Sequence, residues 1–342
     1  MHVAHEHGSA ALTGSVSDPV GVGVFVLGMH RSGTSAVTRL VSLLGLETPP
    51  EEDLVQPTDK NPKGYWESEA LVNFNERVLA AVGCHMSCPV ALAPGWENDS
   101  RLDSLREDAP RAVGEIFPVT PWVWKDPRHC LAFAFWRSVL AVKPVVVLVS
   151  RNPLEITASA QRVRNEQGKI YALALWERYL REALGQVAGL PVLVTDYSEV
   201  LSGPIDWCAR TQAFLSGSGV PARPPSEDDV LAFVDTTLRH AAFDRGDLLR
   251  DPDVSEAQRA LYSALSDMEG GHASFSPPPL PEETPTTEPL LTERRRALEL
   301  KRQLDLERRS SWRWRISTSR YAAPARPIYA RGRRLLRTLQ GH

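Results

Sequence analysis

The sequence has no apolar run long enough to cross a bilayer. Its longest stretches, such as Leu131–Trp136 and Val145–Val149, fall far short of the roughly 20 residues a spanning helix needs. Residues 1–19 contain no Lys or Arg and include Glu6, and the apolar stretch that follows is broken by Gly21, Gly23 and Gly28. A secretory leader, with its basic start and unbroken apolar centre, is therefore not expected, and the setting reads as cytoplasmic. Cysteine is scarce: the four residues at Cys84, Cys88, Cys130 and Cys208 suit reduced thiols rather than a disulfide framework. Cys84, His85 and Cys88 have the character of metal ligands, but no second Cys or His pair stands at zinc spacing, so no metal is expected. No repeat of 20–50 residues is present.

What is there suffices for a real core. The chain has 342 residues, 42% of them hydrophobic and 24% charged, which excludes disorder throughout. The net charge of −3 hides an asymmetry: residues 290–342 carry 15 Lys+Arg against 4 Asp+Glu, or +11, which leaves −14 for residues 1–289. The two parts are expected to meet different partners.

Val24–Leu27 is too short for a buried helix and ends in a glycine-containing turn, so it reads as a buried strand. Ala36, Val37, Leu40, Val41 and Leu44 then recur at helical spacing, and Gly45 closes the helix. Further strands are expected at Trp122–Trp124, Val145–Val149 and Pro191–Thr195, separated by amphipathic segments such as Leu131–Val142 and Tyr171–Val187. Strands alternating with helices predict an α/β fold, a parallel sheet covered on both faces. Six prolines between residues 270 and 289 predict a semi-rigid linker. Beyond it Thr292–Arg309, free of Gly and Pro, reads as a helix with a modest stripe of Ala297, Leu300 and Leu304. The expected organisation is an arm at 1–20, a catalytic domain at 21–269, a linker at 270–289 and a basic helical tail at 290–342.

The turn after the first strand reads Gly28-Met-His-Arg-Ser-Gly33-Thr34-Ser35. Two glycines five apart at a strand-to-helix junction let backbone N–H groups turn inward and join the helix N-terminus around a phosphate. His30, Arg31, Ser32, Thr34 and Ser35 add donors and positive charge at the same place. The lysine that usually follows the second glycine is absent, and Thr34 stands there instead. That lysine reaches the terminal phosphates of a nucleoside triphosphate, so ordinary ATP or GTP chemistry is disfavoured.

The segment Phe25-Val-Leu-Gly-Met-His-Arg-Ser-Gly-Thr-Ser-Ala36 resembles the 5′-phosphosulfate loop of sulfotransferases, which carry sulfate from 3′-phosphoadenosine 5′-phosphosulfate (PAPS). The resemblance implies a relative of the nucleotide-kinase P-loop fold, with Arg31 in the place of the basic residue before Ser-Gly-Thr. A second segment is similar to the family's 3′-phosphate site: Val145–Val149 leads into Ser150-Arg151-Asn152-Pro153, with Ser159 eight residues after Arg151. Pro at a helix start and an Arg able to give a forked contact to phosphate agree with that role. Asp59-Lys-Asn-Pro-Lys-Gly-Tyr-Trp-Glu67 and Trp124-Lys-Asp-Pro-Arg128 resemble motifs of bacterial members. The resemblance covers roughly residues 22–245.

Sulfuryl transfer needs a base for the acceptor hydroxyl and positive charge on the leaving phosphate, with positioning and electrostatics doing most of the work. Arg31 is the first choice for the charge. Lys125 is second because it follows a strand end, where α/β folds open their ligand crevice, although it could simply pair with Asp126 or Asp59. Glu67 is the first candidate base, since burial beside aromatics raises a carboxylate pKa; it could also serve only as helix-capping charge, and His30 is the alternative. The resemblance places late nucleotide contacts at Arg239 and His240, which depart from the Arg-Lys-Gly motif of cytosolic members. The expected nucleotide-binding set is Gly28, Arg31, Ser32, Gly33, Thr34, Ser35, Arg151, Ser159 and Arg239, with PAPS as donor and no metal.

The tail mixes Arg331, Arg333, Arg334 and Arg337 with Leu335, Leu336 and Leu339, downstream of Trp312, Trp314, Tyr321 and Tyr329. An anionic membrane surface suits that mixture, ahead of a protein partner or a disordered tail, with nucleic acid last. The leading reading is sulfation of a carbohydrate hydroxyl, on a polysaccharide or glycolipid. The alternatives are a noncatalytic anion-binding module and a P-loop kinase.

Overall fold

The computed structural model describes residues 21–59, 61–164, 168–235, 237, 239 and 241–318, with side chains apart from those of 163, 164 and 308–318. The expected arm at 1–20, His240, and the aromatic and basic stretch from 319 onward lie outside the described residues, as do the side chains of Trp312 and Trp314.

Alternation along the strands builds the molecule. In β1 (Gly21–Leu27), Val24 and Val26 turn to one face of the sheet and Phe25 and Leu27 to the other, and all four are buried. In β3 (Val142–Ser150), Val145, Val147 and Val149 share the first face and Val146 and Leu148 the second. A strand buried on both sides reads as a continuous apolar run, and each such side chain contributes about 1.5–3 kcal/mol on leaving water. The first face is covered by α1 (Thr34–Leu43), α7 (Tyr197–Ser202), α8 (Pro204–Gly217) and α9 (Glu227–Phe233). The second is covered by α2 (Glu69–Ala81), α3 (Asp103–Ile116), α4 (His129–Val139), α5 (Pro153–Arg164), α6 (Lys169–Gln186), α10 (Arg245–Arg250) and α11 (Glu256–Asp267). The result is a three-layer α/β fold.

With β2 (Trp122–Lys125), β4 (Val192–Asp196) and β5 (Gly270–His272), the sheet runs β2-β1-β3-β4-β5, parallel except for β5. The chain steps outward from β1 to β2 and then crosses back to β3 on the other side of β1. Loops leaving the carboxyl ends of β1 and β3 therefore diverge and open a crevice, the place where such sheets bind ligands. Gly23 has no room for a side chain, because a Cβ there would come within 2.3 Å of the Trp122 ring on the neighbouring strand.

The helix expected at Leu131–Val142 ends earlier. Leu140 is already extended, and Val142–Pro144 pair with Gly21–Gly23; the apolar residues 139–142 lead from helix into strand with no Gly or Pro between them, so periodicity alone misplaces the boundary. The proline-rich stretch read from composition as a linker is instead seated on the body. It opens with β5, antiparallel to β4, and Phe275 is buried with its N–H and C=O bonded to Leu190 and Gly189. Glu177 of α6, fully buried, accepts from the Thr284 N–H at 3.0 Å and the Thr287 hydroxyl at 3.2 Å, while Arg178 pairs with Glu283 and Glu288. Proline keeps this strap extended, and a buried carboxylate and guanidinium hold it down.

The chain divides into two compact units at Leu291/Thr292. The helix expected at Thr292–Arg309 belongs to a longer one, α12 (Thr287–Thr318). Pro289 falls in its first turn, where the missing N–H has no intrahelical partner to lose. Within the second unit Leu300, Leu304 and Leu306 are exposed. No helix among the described residues is long and apolar enough to cross a membrane.

Candidate active site at the switch point of the sheet

A cleft of about 990 Å³ lies at the carboxyl ends of β1, β2 and β3. It brings together His30, Arg31, Gly33, Thr34, Ser35, Glu67, Lys125, Arg151 and Ser159, residues spread over more than a hundred positions of sequence.

The loop after β1 is shaped by its backbone. Arg31 and Gly33 both take positive φ, 73° and 93°, and the Ser32 N–H closes a turn on the Met29 carbonyl at 3.1 Å. A Cβ on Gly33 would lie 2.1 Å from the Tyr197 ring, so glycine is required there by space as well as by conformation. Gly33 is the N-cap of α1 and the first turn carries no acidic side chain, which leaves the positive end of the helix facing the cleft. Ser32 and Gly28 do not line it. The Ser32 hydroxyl is buried on the Met29 carbonyl, and the Gly28 N–H points to Cys130 Sγ at 3.2 Å, so both contribute loop geometry.

The end of β3 supplies the second cluster. Arg31 Nε donates to Ser159 Oγ at 2.9 Å, and Arg151 Nη1 donates to the Arg31 carbonyl at 2.9 Å. The Arg151 guanidinium lies over the Tyr197 ring, 4.8 Å from its centroid, and its Nε bonds Glu155 at 2.8 Å. Arg239 does not line the main cleft. It pairs with the other oxygen of Glu155 at 2.5 Å and lines an adjoining cavity of about 440 Å³, and Glu155 borders both cavities. The Arg151 and Arg239 guanidiniums and the Phe243 N–H hold the Glu155 carboxyl below its ordinary range in spite of burial. Glu155 carries no motif signal. Only its position one helical turn after Arg151 could have pointed to it.

The third cluster lies around Ser35. Lys125, buried at the end of β2, forms an ion pair with Glu67 and donates to Ser35 Oγ at 3.3 Å. Capping of α2 is done by others: Ser68 accepts the Leu71 N–H at 3.1 Å and Asp53 accepts the Ala70 N–H at 3.1 Å. Glu67 is thereby left to turn toward Lys125. Burial raises its pKa above the usual carboxylate value, and Lys125 pulls it part of the way back. The lysine therefore pairs with Glu67, neither of the two aspartates considered from sequence.

Asp126 faces the other way. Its carboxylate, fully buried, accepts from Asn75 Nδ2 at 2.8 Å and from Arg128 Nη1 at 3.0 Å, and the Trp136 indole N–H fixes the Asn75 carbonyl at 2.7 Å. Tyr65 lines the cleft with its hydroxyl on Thr58, whereas Trp66 is occupied elsewhere, under the Arg39 guanidinium and against the Phe233 ring.

No family model matches the chain, and no curated protein does. Among solved structures it is similar to the sulfotransferase domain from the curacin biosynthetic pathway, at 16% identity over 81% of this chain and 98% of that one, with a TM-score of 0.41. It is also similar to the sulfotransferase domain of the Synechococcus PCC 7002 olefin synthase, at 16% identity over 81% and 95%, TM-score 0.38. Retinol dehydratase, in complex with androsterone and the inactive cofactor PAP, is a third, at 14% identity over 80% and 78%, TM-score 0.32.

Proposed function

We propose that this protein is a PAPS-dependent sulfotransferase that sulfates a hydroxyl of a carbohydrate or glycolipid. One observation carries the reading: a phosphate loop backed by Arg151 and Ser159 shares its cleft with a Lys125–Glu67 pair set against Ser35. The donor set fits a nucleotide with charge at both ends of its ribose. The N–H groups at the start of α1 suit the 5′ end, and Arg31, Arg151 and Ser159 suit a 3′-phosphate.

When bound, PAPS supplies the sulfuryl group and leaves as the 3′,5′-bisphosphate. Glu67 takes the proton of the acceptor hydroxyl as its oxygen bonds to sulfur. Protonation cancels the Glu67 charge and releases the Lys125 ammonium from its ion pair. That ammonium then balances the negative charge growing on the departing 5′-phosphate oxygen, where a positioned cation stabilises the transition state and leaves the ground state unaffected. In this reading Lys125 takes the leaving-group role and Arg31 works on the nucleotide side. His30, in the wall of the cleft, is the alternative base.

Incubation with radiosulfate-labelled PAPS and a panel of glycans, glycolipids and peptides tests the proposal. Label is expected on at least one hydroxyl acceptor, and Glu67→Gln is expected to retain bisphosphate binding while losing transfer. Tight bisphosphate binding with no transfer to any acceptor would instead favour the noncatalytic anion-binding module.

The charge asymmetry supports a placement at the cytoplasmic face of an anionic membrane, through residues 292–342. Each basic residue near such a surface contributes about 1 kcal/mol, screened by salt. A chain ending at Leu291 should keep PAPS turnover on a soluble acceptor and lose cosedimentation with phosphatidylserine vesicles. Equal sedimentation of both forms would remove the anchor.

A further inference from the structure

The cavity of about 440 Å³ beside the main cleft has no part in the transfer described above, and the two share only Glu155. Its wall is built where β4 passes into α7, at Asp196 and Ser198, by the residues around the start of α10, and by Tyr262 of α11. Tyr262 is the telling residue. It is 8% exposed, with its ring in the core of the second face, yet its hydroxyl makes no hydrogen bond among the described residues and is not sealed in by protein. Burial pushes its pKa up to about 12, and after burial the groups acting on it are Asp196, Glu269 and Glu155, with Arg245 opposing them. Three of those four charges belong to the cavity wall, so the hydroxyl opens into the cavity. A tyrosine with a buried ring and an open polar tip is placed to meet a ligand there.

The charges of the wall say which ligand. Four carboxylates stand against two guanidiniums. Arg239 is spent on Glu155 at 2.5 Å, Arg245 is shared with Asp267 at 4.0 Å, and Asp247 already holds Arg250 at 3.2 Å. Asp196 and Asp244 have no cation among the described residues. Asp196 Oδ1 accepts the N–H and the hydroxyl of Ser198 at 2.8 and 2.5 Å, which leaves Oδ2 unused. Glu269 reports the same negative field: its carboxyl is pushed up to about 7, first by burial and then by Asp196 and Glu199. An anion is repelled from such a place. A metal ion is not suited either, because no three His, Cys, Asp or Glu side chains among the described residues converge to ligate one. An organic cation spreads its N–H groups over carboxylates that do not converge, and its carbon chain can lie on an aromatic face, which Phe243 offers in the same wall. The volume falls in the range of small-molecule sites, about 300–1,000 Å³.

We propose that this cavity binds an organic ammonium ion, which donates to Asp196 Oδ2 and Tyr262 Oη while its carbon chain lies along Phe243. The site stands whether or not the main cleft transfers sulfuryl groups.

The test titrates 1,4-diaminobutane and 1,4-butanediol, equal in length and different in charge, into the full chain at low salt, with binding read by calorimetry or NMR. The diamine is expected to bind and the diol not. Tyr262→Phe removes an oxygen that no other part of the protein uses, so the thermal midpoint should hold while diamine affinity falls about tenfold or more. Asp196→Asn should also weaken the diamine by about tenfold or more, and it stays folded because Asn caps α7 as well as Asp does. General attraction to an acidic surface is indifferent to Tyr262→Phe, so diamine binding that survives this change overturns the inference. A fall in the thermal midpoint of Tyr262→Phe overturns it as well, since the hydroxyl would then serve the fold. So do failure of the wild-type protein to bind the diamine and full displacement of the diamine by an equal concentration of Mg²⁺, the mark of a metal site.

Discussion

Replacing Lys125 with methionine is expected to cut sulfuryl transfer by about 10²–10³-fold at saturating PAPS, the loss typical of a positioned charge or donor at a developing anion. Methionine fills a similar volume, so the buried site keeps its shape while both partners of the ammonium, Glu67 and Ser35, lose it. The pH dependence makes the expectation specific. Glu67 must be ionised to receive a proton, so the rate falls as pH drops through its pKa. Burial raises that pKa and Lys125 opposes the rise. The acid limb of kcat/KM should therefore lie above the ordinary carboxylate value of about 4.3 in the wild type and move to still higher pH in Lys125→Met. A limb that stays in place, or moves down, would show that Glu67 is not the group being titrated and would pass the role of base to His30. Pre-steady-state transfer from labelled PAPS, followed across pH, separates this from any change in product release.

Arg151→Ala should weaken binding of the 3′,5′-bisphosphate by roughly 10- to 150-fold, the range of about 1.5–3 kcal/mol for hydrogen bonds to a charged group, and leave 5′-AMP binding nearly unchanged. Only the first ligand presents a phosphate at the 3′ position. The guanidinium is held beforehand by Glu155, by the Arg31 carbonyl and by the Tyr197 ring, so little ordering remains to oppose binding. The variant should also stay folded. Glu155, the buried carboxylate left behind, keeps Arg239 and the Phe243 N–H as partners. Isothermal titration of both nucleotides decides the matter, and equal losses for the two would separate Arg151 from the 3′-phosphate.

The elements legible in the sequence were those whose signal is local. β1 and β3 are short runs of buried aliphatics, the loop between β1 and α1 has its two glycines at a fixed spacing, and Arg151 follows directly from its strand. The elements that were not legible depend on partners far away in the chain. β5 is Gly270-Gly271-His272, with no strand propensity of its own, and it exists because β4 offers an open edge. The strap after it looked like a spacer because proline marks extended chain equally well whether it is free or held down, and Glu177 and Arg178, which hold it, lie about a hundred residues earlier. The end of α4 was misplaced for a related reason: apolar residues continue into β3, and pairing with Gly21–Gly23 decided the switch.

By itself the sequence determined that a turn with two glycines five apart follows the first strand, that a second basic segment follows another strand, and that the tail differs in charge from the body. Residue type and spacing carry those statements, because each is written in consecutive residues. Only the tertiary structure decided that β1 and β3 are neighbours, so that Arg31, Ser159 and Arg151 meet, and that Lys125 pairs with Glu67 instead of Asp126 or Asp59. Strand order, and which partner a buried charge finds, are settled by pairing and packing across the whole chain, where desolvation makes each unpaired group costly and no local pattern records the outcome.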